Sequence, residues 1–300
     1  MKDGIVNVMK PPGITSHDAV NRLRRVYHTK KVGHTGTLDP EALGVLPICI
    51  GQATRLAEYL TDKEKEYRVM MKFGISTDTE DNTGEIIARA PLPTLTREEF
   101  VEVCQSFVGE IEQIPPMYSA VKKDGQPLYK LARAGVEIER MPRKIMIYAI
   151  EVLMYSDTAA LLNVRCGKGT YIRTLCTDIA KKCGSLGHMC YLMRNQSGAF
   201  RVEDAVRLDA LEASTNPEEY LLPMEVALAD MPVATVSDET KKRRLQNGLA
   251  QKIDFGQSLI EGTLAAAVDE NGHLLAVGYW REEQFQPHKV FKVGENDAAL

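Results

Sequence analysis

Apolar residues at Ala19, Val20, Leu23, Val26 and Tyr27 recur at helical spacing behind Ser16, which reads as an N-cap, so the pattern predicts a helix with Arg22 and Arg25 on its outer side. The next stretch, Val32 to Gly51 (VGHTGTLDPEALGVLPICIG), is a glycine-punctuated loop running into a short apolar segment, the pattern of a buried strand. Gln52 to Leu60 predicts a helix, and Glu66 to Phe73 a strand with partial alternation. Thr96 and Glu99 form a capping box ahead of Phe100, Val103 and Phe107. Pro127 and Gly135 bracket a short helix; Lys144 to Tyr155 and Ala159 to Cys166 read as strands, and Thr170 to Cys183 as a helix closed by Gly184.

Because helices and strands are interspersed without a βαβ rhythm, the expected class is α+β: a mixed, largely antiparallel central sheet flanked by helices. Glu203 to Glu239, interrupted by Pro217, Pro223 and Pro232, reads as a connector. Beyond it, the helix Glu239 to Gln246 precedes two strands, Leu259 to Val268 and His273 to Trp280, joined through Asn271-Gly272, a strong hairpin signal. The expected division is therefore 1–236 and a small β-rich unit over 237–300.

Composition narrows the class. With 300 residues, 44% hydrophobic and 26% charged, the chain suits a folded protein of about two domains and excludes collagen-like and broadly disordered classes. Six cysteines are too sparse for a disulfide scaffold and suit a reducing compartment. MKDGIVNVMKPPG lacks the apolar core of a secretory signal, and no run of 18 apolar residues occurs, so the expectation is a cytoplasmic protein without a membrane partner.

The net charge of −4 hides a segregation of sign. Asn163 to Arg201 carries seven basic residues against Asp178, and Asn21 to Val32 five with no acid; Glu203 to Glu239 carries ten acids against Arg207, and Ser76 to Glu112 nine against Arg89 and Arg97. A charge run can be a solvated face, but two basic runs on an acidic chain also suit a localised phosphate-binding surface. Cys166, Cys176, Cys183 and Cys190 lack a C-x-x-C pair, so neither zinc nor any other metal is expected and core packing explains them. The loop Gly167-Lys168-Gly169-Thr170 fails the Walker A pattern, and no G-x-S-x-G occurs. What remains is Gly33-His34-Thr35-Gly36-Thr37-Leu38-Asp39-Pro40 with Gly44 beyond it. Asp39 could cap a helix with Pro40 in its first turn and Gly44 at its end; equally, Pro40 disfavours the α region at Asp39 while Gly33 and Gly36 permit close approach of a ligand, which suits a carboxylate that attacks.

VGHTGTLDPEALGVLP, together with KPPGITSHD (Lys10 to Asp18), closely resembles the bacterial tRNA pseudouridine-55 synthase family, TruB-like. The resemblance continues through Lys65-Glu66-Tyr67-Arg68-Val69, through Gly169 to Leu175 (GTYIRTL), and through Leu192-Met193-Arg194 to Ser197-Gly198-Ala199-Phe200, covering Gly4 to Val206 in order. After Leu192 this chain has Met193-Arg194-Asn195 where the family usually has Arg-Arg-Thr. The stretches ENGHLLAVGYW and PHKVF resemble the family's C-terminal PUA-like RNA-binding domain, and the resemblance implies the pseudouridine synthase fold for the remainder.

That resemblance implies isomerisation of uridine 55 in the T-loop of tRNA, flipped out of its stack, with detachment of uracil at N1 and reattachment through C5. Asp39 matches the catalytic aspartate and Arg173 the arginine that pairs with it; Tyr67 matches the tyrosine stacking on the base, Tyr171 and Leu192 match residues lining the uracil pocket, and His34 matches a histidine near the opened loop. Lys10 and Pro11 fall at positions that support the loop. Residues 115–144, with seven basic side chains and three acids, resemble a mobile insertion closing over the T-arm, which implies action on tRNA without a guide RNA; the family resemblance further implies a monomer, and an isomerisation without redox or hydrolysis implies no cofactor. The alternative is a non-catalytic RNA-binding module or tRNA folding chaperone using the same basic face.

Overall fold

Alternation along the strands decides what each face of the central sheet meets. The computed structural model describes residues 3–123, 125–136 and 138–292, so Asp124 and Glu137 of the expected insertion and the last eight residues of the expected C-terminal unit lie outside the described residues. Eight strands, β1 (Gly4–Lys10), β2 (Leu43–Ile50), β3 (Lys65–Phe73), β4 (Gly109–Gln113), β5 (Arg143–Tyr155), β6 (Ala159–Cys166), β7 (Gly187–Ser197) and β8 (Val206–Arg207), lie in the order β8-β1-β2-β7-β3-β6-β5-β4. Val32–His34 adds to β2 and Phe200–Arg201 to β7. β1 with β8 and β2 with β7 are parallel pairs; the other pairings are antiparallel, as the interspersed pattern predicts.

Val6 and Val8 of β1, Leu46, Ile48 and Ile50 of β2, and Tyr67, Val69, Met71 and Phe73 of β3 share one face with buried residues of helices α1 (Ser16–Val26), α2 (Arg97–Gln105), α3 (Ile172–Lys182) and α4 (Leu208–Ala213). Their neighbours in sequence, Ile5, Val45 and Cys49, point the other way and pack on a second, four-stranded sheet through Ala266, Val268, Leu274 and Val277. That sheet consists of β9 (Val233–Thr235), β10 (Leu264–Val268), β11 (Leu274–Arg281) and β12 (Gln284–Val290) in sequence order. β9 lies on the N-terminal side of the expected division at 236/237 and pairs parallel with β10. The hairpin between β10 and β11 is the one that Asn271-Gly272 predicts: the Asp269 carboxylate accepts the backbone N–H groups of Asn271 and His273, and Gly272 supplies φ +85°. Tyr59 Oη to His288 Nδ1 at 2.9 Å and the Lys289–Glu58 ion pair at 2.9 Å fasten the second sheet to the first unit.

Several boundaries move for identifiable reasons. Thr15, not Ser16, caps α1, in a reciprocal box with Asp18; Ser16 is buried one residue further on and exchanges hydrogen bonds with the backbone of Leu38. Gly51–Leu56 is a 3₁₀ turn, continued as a short α-helix over Ala57–Thr61. Glu203 to Glu239 is more than a connector: Val206 and Arg207 extend the central sheet, and Leu208 and Leu211 enter its core. Its prolines stop long helices there, but its apolar side chains still find a surface to cover. The box predicted at Thr96 and Glu99 is present in full. The six cysteines are free, five of them buried. Among the described residues no helix is long and apolar enough to cross a membrane.

Candidate active site

No helix follows Asp39. The chain makes a turn, with Ala42 N–H donating to Asp39 O, and enters β2 at Leu43. Two features displace the helix that the Asp-Pro spacing allows. Lys10, fully buried at the end of β1, donates from Nζ to the carbonyls of Pro11, Pro40 and Ala42 at 2.8, 2.9 and 2.7 Å, taking acceptors that a helix would use. Gly44, at φ +111°, is a close-approach residue and not a terminator, since a Cβ there would stand 2.3 Å from Arg194 O across the β2–β7 pairing. Asp39 therefore sits on a loop fixed from three sides, by Lys10, by Ser16 through Leu38, and by β7.

Arg173 lies in the first turn of α3, whose N-cap residue Tyr171 is clamped by Gln113: Tyr171 N–H donates to Gln113 Oε1 at 2.8 Å, and Gln113 Nε2 donates to Tyr171 O at 3.0 Å. From there the guanidinium forks onto Asp39, Nε to Oδ2 at 2.9 Å and Nη2 to Oδ1 at 3.3 Å. Its remaining donors go to Thr79 O at 3.0 Å and Tyr118 O at 2.8 Å, and Asp81 Oδ2 stands 3.9 Å from Nε. The loop carrying Thr79 and Asp81 turns through Glu80 at φ +63° and is pinned to α3 by Thr174 Oγ1 donating to Glu80 Oε2 at 2.6 Å. Burial raises the Glu80 carboxyl above the usual range. The exposure is asymmetric: the Arg173 side chain is 5% exposed and that of Asp39 33%, so the pair offers its carboxylate, not its cation, to an incoming group.

A cleft of ≈280 Å³ opens beside this pair, walled by Asp39 and Leu192 with Asp81, Asn82 and Tyr191. Of the other residues the sequence singles out, Arg173 stands behind Asp39, while Tyr67, Tyr171 and His34 lie off the cleft wall. The Tyr67 phenol is raised by burial, with Arg194, its hydrogen-bond partner, opposing. Arg194 is itself 1% exposed and donates to Val45 O at 2.7 Å and Gly36 O at 3.2 Å, so it ties Tyr67 to the backbone on both sides of Asp39. His34 Nδ1 accepts the N–H of Gly36, and burial, with Arg194 adding to it, lowers its pKa and keeps the ring neutral. Burial also raises the Tyr171 phenol. A larger hollow of ≈700 Å³, between the C-terminal end of α1 and α4, holds none of the predicted site residues.

Sequence reasoning missed Thr79, Asp81, Tyr118 and Gln113. Two of the four contribute backbone carbonyls, which carry no residue signature, and Asp81 lies within an acidic run that reads as solvated.

Burial pushes the Lys10 ammonium down to about 8, against the pull of Glu41 and Asp39. Lys10→Met leaves three carbonyls without their donor, and at about 1 to 3 kcal/mol per unsatisfied buried group, with partial rehydration, the expected loss is about 3 kcal/mol. The melting midpoint should fall by roughly 6–12 °C, and an unchanged midpoint would refute the bracing role. Between pH 8 and the ordinary lysine value near 10.5 the unfolded chain holds this proton more tightly than the folded one, so the stability gap between parent and variant should widen as pH rises through that window.

A family model described as "TruB family pseudouridylate synthase (N terminal domain)" matches residues 24–172, and one described as "tRNA pseudouridylate synthase B C-terminal domain" matches residues 173–229. Among curated relatives, the tRNA pseudouridine synthase B of Alkaliphilus oremlandii is 49% identical over 243 residues, 81% of each chain. That of Caldanaerobacter subterraneus subsp. tengcongensis is 40% identical over 293 residues, 96% of this chain and 99% of its own. That of Bacillus subtilis is 43% identical over 286 residues, 92% of this chain and 93% of its own. Among solved structures, a Cbf5-Nop10-Gar1 complex matches with a TM-score of 0.74 and 28% identity, over 97% of this chain and 84% of that one. An H/ACA RNP bound to a substrate RNA containing 2'-deoxyuridine matches with a TM-score of 0.72 and 25% identity, over 97% and 84%.

Proposed function

The chain belongs to the TruB family of pseudouridylate synthases and isomerises uridine in tRNA, and from that premise we propose that its target is uridine 55 of the T-loop and that Asp39 is the nucleophile. The observation that carries this reading is the Asp39–Arg173 fork: a charged carboxylate held by a buried guanidinium and left open toward a cleft of nucleoside size. Asp39 attacks either C6 of the ring or C1′ of the sugar, or else it removes a proton from C2′ to give a glycal. In each case the C1′–N1 bond breaks, a C1′–C5 bond forms, N1 ends protonated and the C5 hydrogen leaves to water, so the reaction needs no oxidant or co-substrate.

The other residues take supporting roles. Leu192 borders the cleft and Tyr67 stacks against the extruded base, a contact worth about 1 to 3 kcal/mol. Tyr171, off the present cleft wall, borders the base once the bound RNA widens the cleft, and His34, neutral, fills space beside the opened loop. Residues 115–144 close over the T-arm, and Tyr118, whose carbonyl rests on Arg173, joins that insertion to the catalytic pair. The second sheet contributes RNA contacts as a PUA-like unit. The chain works in the cytoplasm as a monomer, without a guide RNA.

The test is an unmodified tRNA transcript incubated with the purified chain alone, followed by mapping of pseudouridine at single-nucleotide resolution. The expected result is modification at position 55 and loss of product when that uridine becomes cytidine. Modification elsewhere, or only after addition of a second RNA, would overturn the assignment.

A further inference from the structure

β7 loses its neighbour where β2 begins: their parallel pairing covers only Met193 and Arg194, and residues 189–192 border the cleft instead. Adjacent residues in a strand point to opposite faces of a sheet, yet Tyr191 and Leu192 both line this cleft, so it passes through the plane of the sheet. On the helix side it ends at buried Met189 and Leu192; on the other it ends at Tyr191, 38% exposed.

A β-bulge produces this arrangement. Met189 stands opposite Met71 and Tyr191 opposite Met70, so Cys190 is the extra residue. The added residue lets Met189 and Leu192, three apart, both reach the core while Tyr191 turns outward. Asn82 Nδ2 donates to Cys190 O at 3.4 Å on the cleft side, and the Tyr191 hydroxyl meets the Met193 sulfur at 3.3 Å, a weak acceptor that neither demands nor fixes the phenol. The result is an aromatic face at the mouth of the reaction cleft.

The cleft itself is small. At ≈280 Å³ it lies at the lower end of small-ligand pockets, about 300 to 1,000 Å³, with room for one nucleoside. A nucleotide drawn in to Asp39 is tied to its neighbours by single phosphodiester links, so an adjacent base is pulled from its stack to the cleft mouth and needs a new face to cover it. Resting on the proposed attack of Asp39 on an extruded uridine, we infer that Tyr191 is a second base subsite, stacking on the nucleotide next to the target from the side of the sheet opposite Tyr67. Stacking of this kind accepts any base, since every base has a π-face.

The experiment compares kcat/KM, read as tritium release from C5-labelled uridine, on an intact T-arm hairpin and on hairpins abasic at the nucleotide 5′ or 3′ of the target, with the full-length parent and with Tyr191→Ala. In the parent, one of the two abasic changes should lower kcat/KM by about 5- to 150-fold, the range that base–aromatic stacking supports. Tyr191→Ala should lose a similar factor on the intact hairpin and nothing further on the abasic one, and Tyr191→Phe should keep the parent's sensitivity. Because each protein is compared with itself across RNAs, a partial loss of fold cancels in the ratio. An abasic penalty equally large in Tyr191→Ala, or none in the parent at either position, overturns the subsite. Failure of the isomerase reading looks different, as no tritium release by the parent from any hairpin.

Discussion

Asp39→Asn should still bind a T-arm hairpin but release tritium from C5-labelled uridine at least about four orders of magnitude more slowly than the parent, about 5.4 kcal/mol of lost transition-state stabilisation. The substitution keeps the shape of the side chain and removes only its charge. It should fold, because the loop around it is held by Lys10 on the carbonyls of Pro11, Pro40 and Ala42 and by Ser16 on Leu38, none of which touches the Asp39 carboxyl. Arg173 keeps the carbonyls of Thr79 and Tyr118 as acceptors and can still donate to the amide oxygen. Binding of a polyanion does not suffer from loss of a negative charge. What disappears is the anionic oxygen that attacks the nucleoside or takes its proton; a neutral amide is too weak a nucleophile and base to replace it. Equal release by mutant and parent would remove Asp39 from the chemistry; parallel loss of binding and release would make the RNA-binding alternative the better account of this loop.

The parts of this site that could be read from the sequence are those a local pattern encodes. The Thr96–Glu99 box, the Asn271-Gly272 hairpin and the buried run ending at Ile50 follow from short-range rules, and each occurs where the spacing puts it. The Asp39 loop shows where such rules stop. Asp-Pro with a glycine four residues beyond Pro40 is good helix grammar, yet Gly44 answers to a strand 150 residues away and the carbonyls of Pro40 and Ala42 to a lysine 30 residues upstream. No local pattern sets Arg173 apart from other helix cations, and only the family motif singles it out; its acceptors lie on three separate segments, around Asp39, Thr79 and Tyr118. In the sequence Arg194 is the one residue of the family's Arg-Arg-Thr turn that this chain keeps, between Met193 and Asn195, whereas in the fold it is almost fully buried and joins Tyr67, Val45 and Gly36. Long-range polar contacts of this kind leave no periodicity, because each is made once.

Arg173 provides the second large effect, and two substitutions separate its charge from its shape. Lysine keeps the charge but presents a single ammonium in place of a planar fork, so it cannot hold both carboxylate oxygens of Asp39 while also serving Thr79 O and Tyr118 O. The expected loss in single-turnover rate for Arg173→Lys is about 100-fold or more, the scale of a misplaced reacting group, with a fall of only a few degrees in the melting midpoint. Arg173→Met removes the cation. Breaking a buried ion pair costs about 3 to 5 kcal/mol, and the partial exposure of Asp39 places this one at the lower end, so the midpoint should drop by roughly 6–12 °C. Both rates should stay depressed well below either midpoint, which separates lost positioning from lost fold. Since Tyr118 O shares Nη2 with Asp39, residues 117–119 should also become more accessible to protease in both variants, because the guanidinium that orients the nucleophile also holds the base of the insertion. A lysine variant turning over at the parent rate would show that charge alone suffices, and the fork would then be packing.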